Sequence, residues 1–100
     1  MVIVGGEFEV EPERREAFLA AQVDAVRRSR SEPGCLEYIF SADPLEPGRV
    51  ALFERWETQA ALDAHLSAMA ATPASDPAPV QPSRFSIMVC DVAGERPLGG

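Results

Sequence analysis

The stretch CLEYIFSADPLEPGRVALFERW, residues 35–56, decides how the chain folds. It holds two alternating runs, Cys35 to about Ala42 and Arg49 to Glu57, joined by the turn formers Asp43-Pro44-Leu45-Glu46-Pro47-Gly48. In the first run Leu36, Tyr38 and Phe40 share one face, with Cys35, Glu37 and Ile39 on the other. In the second, Val50, Leu52, Glu54 and Trp56 alternate with Ala51, Phe53 and Arg55. A period of two is the mark of a half-buried strand, so the two runs read as a hairpin.

Outward from the hairpin, each side carries one helix and one further strand. Upstream, Val2, Val4, Gly6, Phe8 and Val10 alternate with Ile3, Gly5, Glu7 and Glu9, which predicts a strand over 2–10. Pro12 suits the first turn of a helix, with Glu11, Glu13 and Glu16 near its start and Arg27, Arg28 and Arg30 near its end. Leu19, Val23 and Val26, flanked by Phe18 and Ala25, predict its buried stripe, and Ser31-Glu32-Pro33-Gly34 stops it. Downstream, Thr58 is the N-cap of a second helix whose stripe is Leu62, His65, Leu66 and Met69, so that His65 faces inward. Residues 72–82 contain Pro73, Pro77, Pro79 and Pro82 and read as an irregular loop. Phe85, Ile87 and Val89 alternate with Ser86, Met88 and Cys90 in a fourth strand, followed by a polar tail.

The order β-α-β-β-α-β predicts an α+β class fold, a ferredoxin-like antiparallel sheet with two helices on one face. The opposite face would carry Ile3, Ile39, Ala51, Phe53, Met88 and Cys90, more apolar than a solvent face should be. Two readings compete: scattered apolar surface, or the same face of a second copy packed against it in a two-fold homodimer. Because the pattern recurs on all four strands, the dimer is the stronger.

Composition bounds the rest. At 100 residues the chain is one domain over 1–100, with an ordered core of about 1–93 and a tail from 94 to 100. Nine basic against 16 acidic residues, without a basic run, exclude nucleic acid and anionic membranes as partners. No apolar run approaches the roughly 18 residues of a membrane span, and Met1 leads straight into a strand, so a cytoplasmic protein is expected. Cys35 and Cys90 lie far apart in apolar runs and read as small buried hydrophobes in a reducing compartment rather than a disulfide pair. One histidine and two separated cysteines give no metal-ligand spacing, and phosphate loops and Ser-His-Asp patterns are missing.

Few residues remain to carry chemistry. His65, the only histidine, is either a satisfied core residue or a proton shuttle near neutral pH. Glu54 lies on the strand face expected to meet the helices; either it sits at the sheet's rim in water, or it is buried and needs a partner, which His65 would supply. Tyr38 offers a phenol to a substrate oxygen, while Trp56 and Phe8 offer flat apolar surface; each could equally be core.

Two motifs together carry a resemblance. Glu32-Pro33-Gly34-Cys35-Leu36 with Tyr38 two beyond, and Glu54-Arg55-Trp56-Glu57 followed by Leu62, His65 and Leu66, resemble the antibiotic biosynthesis monooxygenase family, small quinol monooxygenases included. The resemblance implies a dimeric α/β barrel and, in the family's enzymes, oxygenation of a phenol, anthrone or quinol by dioxygen without metal, haem or flavin. Carried over by position, it implies His65 as proton acceptor, Tyr38 as hydrogen-bond donor to the oxyanion and Trp56 as a pocket wall. Glu54, Phe8, Leu62 and Met69, on the faces read as interior, are the expected substrate-binding residues. Many relatives carry a further histidine and an aromatic residue where this chain has Ser67, Ala68 and Met69, and no aromatic occurs between Trp56 and Phe85, so one wall is left to small residues or to the Pro-rich loop. Haem-degrading members use an Asn on the first strand; Glu7 and Glu9 stand there, which excludes that reaction. Two rivals remain: an isomerase of a small carbonyl compound or lactone on the same barrel, and a non-catalytic small-ligand-binding module.

Overall fold

The computed structural model describes residues 1–72 and 80–99. Its elements run β1 (Val2–Glu9), a 3-10 turn (Pro12–Arg14), α1 (Arg15–Arg30), β2 (Cys35–Ala42), β3 (Arg49–Trp56), α2 (Gln59–Ala71) and β4 (Arg84–Asp91). The expected order of four strands and two helices is present, and the antiparallel sheet runs β2-β3-β1-β4, the ferredoxin-like topology. The Pro-rich loop expected over 72–82 lies largely outside the described residues.

Alternation works best on β3, a central strand. Val50, Leu52, Glu54 and Trp56 are all buried. Leu52 and Trp56 join Val2, Val4 and Tyr38 of the neighbouring strands and Leu62 of α2 in one core cluster, while Val50 forms a second with Val10 and Phe18. Both helices therefore cover the same face. Asp43 accepts from the Leu45 and Glu46 amides at 2.8 and 2.9 Å and turns the hairpin. The Thr58 hydroxyl accepts from the Ala61 amide at 3.0 Å, the expected cap of α2.

Three expectations about faces need correction. The register of β2 against β3 shifts between Cys35 and Glu37, so one extra residue bulges out. Cys35 takes the inner position opposite Trp56, and Leu36, expected inside, is exposed. On α1 the stripe is rotated: Phe18 and Ser29 are buried, with Gln22 and Ala25 between them, while Leu19 and Val26 pack half-buried against the core as expected and Val23 is exposed. Burying Phe18 against Phe8 outweighs burying Val23, and Ser29 is tolerated inside because its hydroxyl donates to the Ala25 carbonyl at 2.7 Å. On α2 only Leu62 and His65 are buried; Leu66 and Met69 stay exposed because β4, opposite them, lies outside the cover of the helices.

The outer face is bare in a single chain, with Ile39, Phe53 and Met88 exposed, and Cys90, expected to be buried, is exposed with them because no element covers this face; Cys35 is half-buried. Ile3 pairs with Cys90 and Gly5 with both Met88 and Phe53, so these side chains form one patch across the sheet.

Candidate active site

The turn between α1 and β2 sets the site. Gly34 takes φ +84°, a conformation that costs glycine nothing, and a Cβ there would lie 2.6 Å from the Ala61 Cβ of α2. The missing side chain lets the turn press against α2, and the Glu57 amide donates to the Gly34 carbonyl at 2.8 Å. This packing holds Glu32, two residues earlier, over the buried face of α2.

There it meets His65, which is 1% exposed. Nδ1 of the ring lies 3.2 Å from both Glu32 carboxylate oxygens. On the opposite side Nε2 lies 4.0 Å from Oε1 of Glu54, the same oxygen to which the Trp56 indole donates at 2.9 Å. Tyr38 and Trp56 flank the imidazole with ring centroids at 5.3 and 4.7 Å. Sequence reasoning left Glu54 with two readings, and the geometry selects the buried one beside His65. The two carboxylates approach opposite ring nitrogens and do not converge on a point; among the described residues no group of three His, Cys, Asp or Glu could hold a metal ion.

Burial sets the protonation of this cluster. It raises the Glu54 carboxyl above its ordinary range, opposed by the Trp56 hydrogen bond and the His65 charge. Burial, helped by the Glu54 charge and opposed by Ser29, pushes the Tyr38 phenol up to about 12, so Tyr38 is a hydrogen-bond donor at neutral pH. Cys35 is raised by burial and by the charges of Glu32 and Glu54, which keeps its thiol inert.

A cavity of about 430 Å³ opens between the helices and the sheet. Tyr38, Glu54 and His65 form its polar wall, and Phe8, Phe18 and Phe40 an aromatic one, with Phe8 at 5.5 and 5.8 Å from the other two rings. Leu62 and Met69 also line it, together with Gln22, Leu66, Ile87 and Val89. Of the residues singled out in the sequence, Trp56 alone is off the cavity: fully buried, it stands behind Glu54 and His65 rather than forming the expected wall. Its indole instead holds the Glu54 carboxylate.

Sequence reasoning gave Glu32 and Gln22 no role. Gln22 was hidden by the rotated stripe of α1. For Glu32 there was a signal: a carboxylate just past a helix C-terminus opposes the helix dipole and calls for a compensating partner, which His65 is.

Comparison with known proteins agrees with this architecture. Residues 1–74 match the sequence profile of the antibiotic biosynthesis monooxygenase family. An uncharacterised protein of Synechocystis sp. is 41% identical over 64 residues, which are 64% of this chain and 44% of that protein, so the chain spans less than half of this relative. YcnE of Bacillus subtilis is 31% identical over 65 residues, 65% of this chain and 68% of its own. Among solved structures, Rv0793 from Mycobacterium tuberculosis is similar with a TM-score of 0.64 and 28% identity, covering 94% of this chain and 96% of that one. A conserved protein from Methanosarcina mazei shares the fold at a TM-score of 0.70 and 18% identity, over 89% of each chain. With a profile match over most of its length and the strand order to go with it, the chain belongs to the antibiotic biosynthesis monooxygenase family.

Proposed function

We propose that the protein is a cofactor-independent monooxygenase acting on a small phenolic, anthrone or quinol-like compound. The observation that carries this reading is the buried His65–Glu54 pair opening with Tyr38 onto an apolar, aromatic-walled cavity in a member of this family. A flat aromatic substrate packs against Phe8, Phe18 and Phe40, and its hydroxyl gives its proton to the His65–Glu54 pair. The Tyr38 phenol donates to the oxyanion so formed. The substrate anion itself reduces dioxygen: a ring C–H carbon that shares the anion's charge becomes C=O, one oxygen atom enters the product, and the other leaves as water with that hydrogen and the one lost from the hydroxyl. The protein holds the anion against oxygen, and the bound ring itself displaces water from the polar wall.

The test is oxygen uptake by the purified protein, without added cofactor, against hydroxynaphthoquinols, anthrones and catechols, with His65→Ala as control. Uptake above autoxidation that disappears in the variant supports the reading, and none across the panel sinks it. The same proton-transfer pair would serve an isomerase of a small carbonyl compound or lactone, and product mass separates the two, because isomerisation adds no oxygen. Binding without turnover of either kind would mark a ligand-binding module.

The bare outer face fits a second copy of the chain, with Ile39, Phe53 and Met88 at its centre, as in the dimeric barrel the family resemblance implies. Phe53→Arg is expected to give a folded monomer in light scattering; a wild type already monomeric at high concentration would remove this part of the reading. The two thiols lie on opposite faces and stay unpaired, which suits the cytoplasm.

A further inference from the structure

We infer that Glu32 is the proton outlet of the site, taking from His65 the proton removed from the ligand and passing it to water. This rests on the reading that the cavity deprotonates its ligand. Three side chains stand in series: Glu54 on the cavity wall, the sealed imidazole of His65, and Glu32 on the turn before β2, whose side chain is 18% exposed. Glu32 is not among the cavity's lining residues, so its exposed edge faces solvent elsewhere.

The chemistry of the series follows from the ring. A proton arriving at Nε2 from the Glu54 side makes the imidazolium, and the Nδ1 proton, 3.2 Å from both Glu32 oxygens, then passes to that carboxylate and on to water. The imidazole is then neutral with its proton on Nε2; when water forms from the second oxygen atom that proton goes to it, and one from solvent returns through Glu32 to Nδ1, so the cycle closes with no net proton released. No bond other than N–H and O–H forms or breaks. The groups facing His65 are Glu32 from the turn, Glu54 and Trp56 from β3, and Tyr38 from β2, and the charges of both carboxylates act on the Cys35 thiol. Tyr38 and Cys35 hold their protons, leaving the carboxylates as the acceptors. Tyr38 and Trp56 pack beside the ring, and with a ligand filling the cavity on the Glu54 side, the Glu32 side is the way left to water.

A purely structural Glu32 would be replaced well by glutamine, whose amide oxygen still accepts from Nδ1–H but takes no proton. The experiment uses that difference. Because His65 is the only histidine, its ring protons are read without ambiguity by nuclear magnetic resonance. In Glu32→Gln, exchange of the Nδ1 proton with water is expected to slow at least tenfold; unchanged or faster exchange overturns the outlet. Should Glu32→Gln fail to fold, Glu32→Asp, which draws the carboxylate back by one methylene, is read the same way. Where the wild type turns over a substrate, Glu32→Gln is also expected to slow steady-state oxygen uptake in dilute buffer and to recover as a small proton carrier such as free imidazole is added. Slowing that no carrier restores counts against the outlet. A wild type that consumes no oxygen sinks the oxygenase reading alone, because the exchange measurement needs no turnover.

Discussion

The two ends of the cavity differ in burial and in chemistry. At the inner end Tyr38, Glu54 and His65 are buried, backed by a Trp56 that no solvent reaches, and each polar atom of the His65 ring faces a carboxylate. At the outer end Leu66, Met69, Ile87 and Val89 line the same space half exposed and carry no polar group. The inner end has one arrangement, fixed by hydrogen bonds that cost stability when broken; the outer end is apolar surface that only a ligand or a second element would cover. Stability and proton chemistry are thus concentrated on one side and affinity on the other.

Trp56→Ala should break this division most severely. It removes a fully buried indole from the centre of the core and leaves Glu54 without its donor, a loss of about 3–5 kcal/mol in denaturant unfolding. Against a typical total of about 5–15 kcal/mol that is a large share of the fold. A loss below about 1 kcal/mol would mean that the inner end is not the keystone described. Gly34→Ala is next, at about 1–3 kcal/mol, since alanine must hold φ +84° and push Ala61 away. It should also carry Glu32 off His65, so the imidazole resonances move with it; a variant of wild-type stability would show that the turn has room the geometry does not give it.

Tyr38→Phe sharpens the comparison through pH. Removing the hydroxyl costs roughly 1 kcal/mol at neutral pH. The folded phenol is raised above its ordinary value to about 12, so its contribution is fully present below about pH 10 and lost as the pH rises through about 12. Wild type should therefore lose stability over that window while Tyr38→Phe loses less, and the two curves converge. As the chain's only tyrosine, Tyr38 reports its own ionisation through tyrosinate absorbance. Titration near 10 in the folded protein would place the phenol in water.

How much of this was legible in the sequence follows the same division. Alternation on β1 and β3 and the Thr58 cap are local patterns, and each strand and helix formed where they indicate. What failed was local pattern under a nonlocal constraint: the bulge at Leu36 depends on how β2 pairs with β3, and the rotation of α1 on the space Phe18 finds beside Phe8. The site splits likewise. His65 and Glu54 share faces that periodicity assigns to the interior, whereas Glu32 reaches His65 across 33 positions through a turn that only a glycine at Gly34 allows. No spacing rule carries that pairing.

Met69→Ala is expected to have the smallest effect on the fold and the more specific one on the ligand. Met69 is 47% exposed and Ile87, across the opening, 42%. Truncating a side chain that water already reaches leaves no sealed void, so unfolding should shift by no more than about 0.5 kcal/mol. A bound aromatic ring, by contrast, would have less apolar surface to pack against: with the inner end intact, KM should rise several-fold while kcat stays within about twofold, the signature of binding weakened equally in ground and transition states. Ile87→Ala, on β4 rather than α2, should reproduce that split, because the two residues line one cavity from opposite elements. A fall in kcat at unchanged KM in both would mean that the outer end takes part in the reaction itself. Unchanged KM and kcat would place the ligand away from the outer end, between the polar wall and Phe8, Phe18 and Phe40.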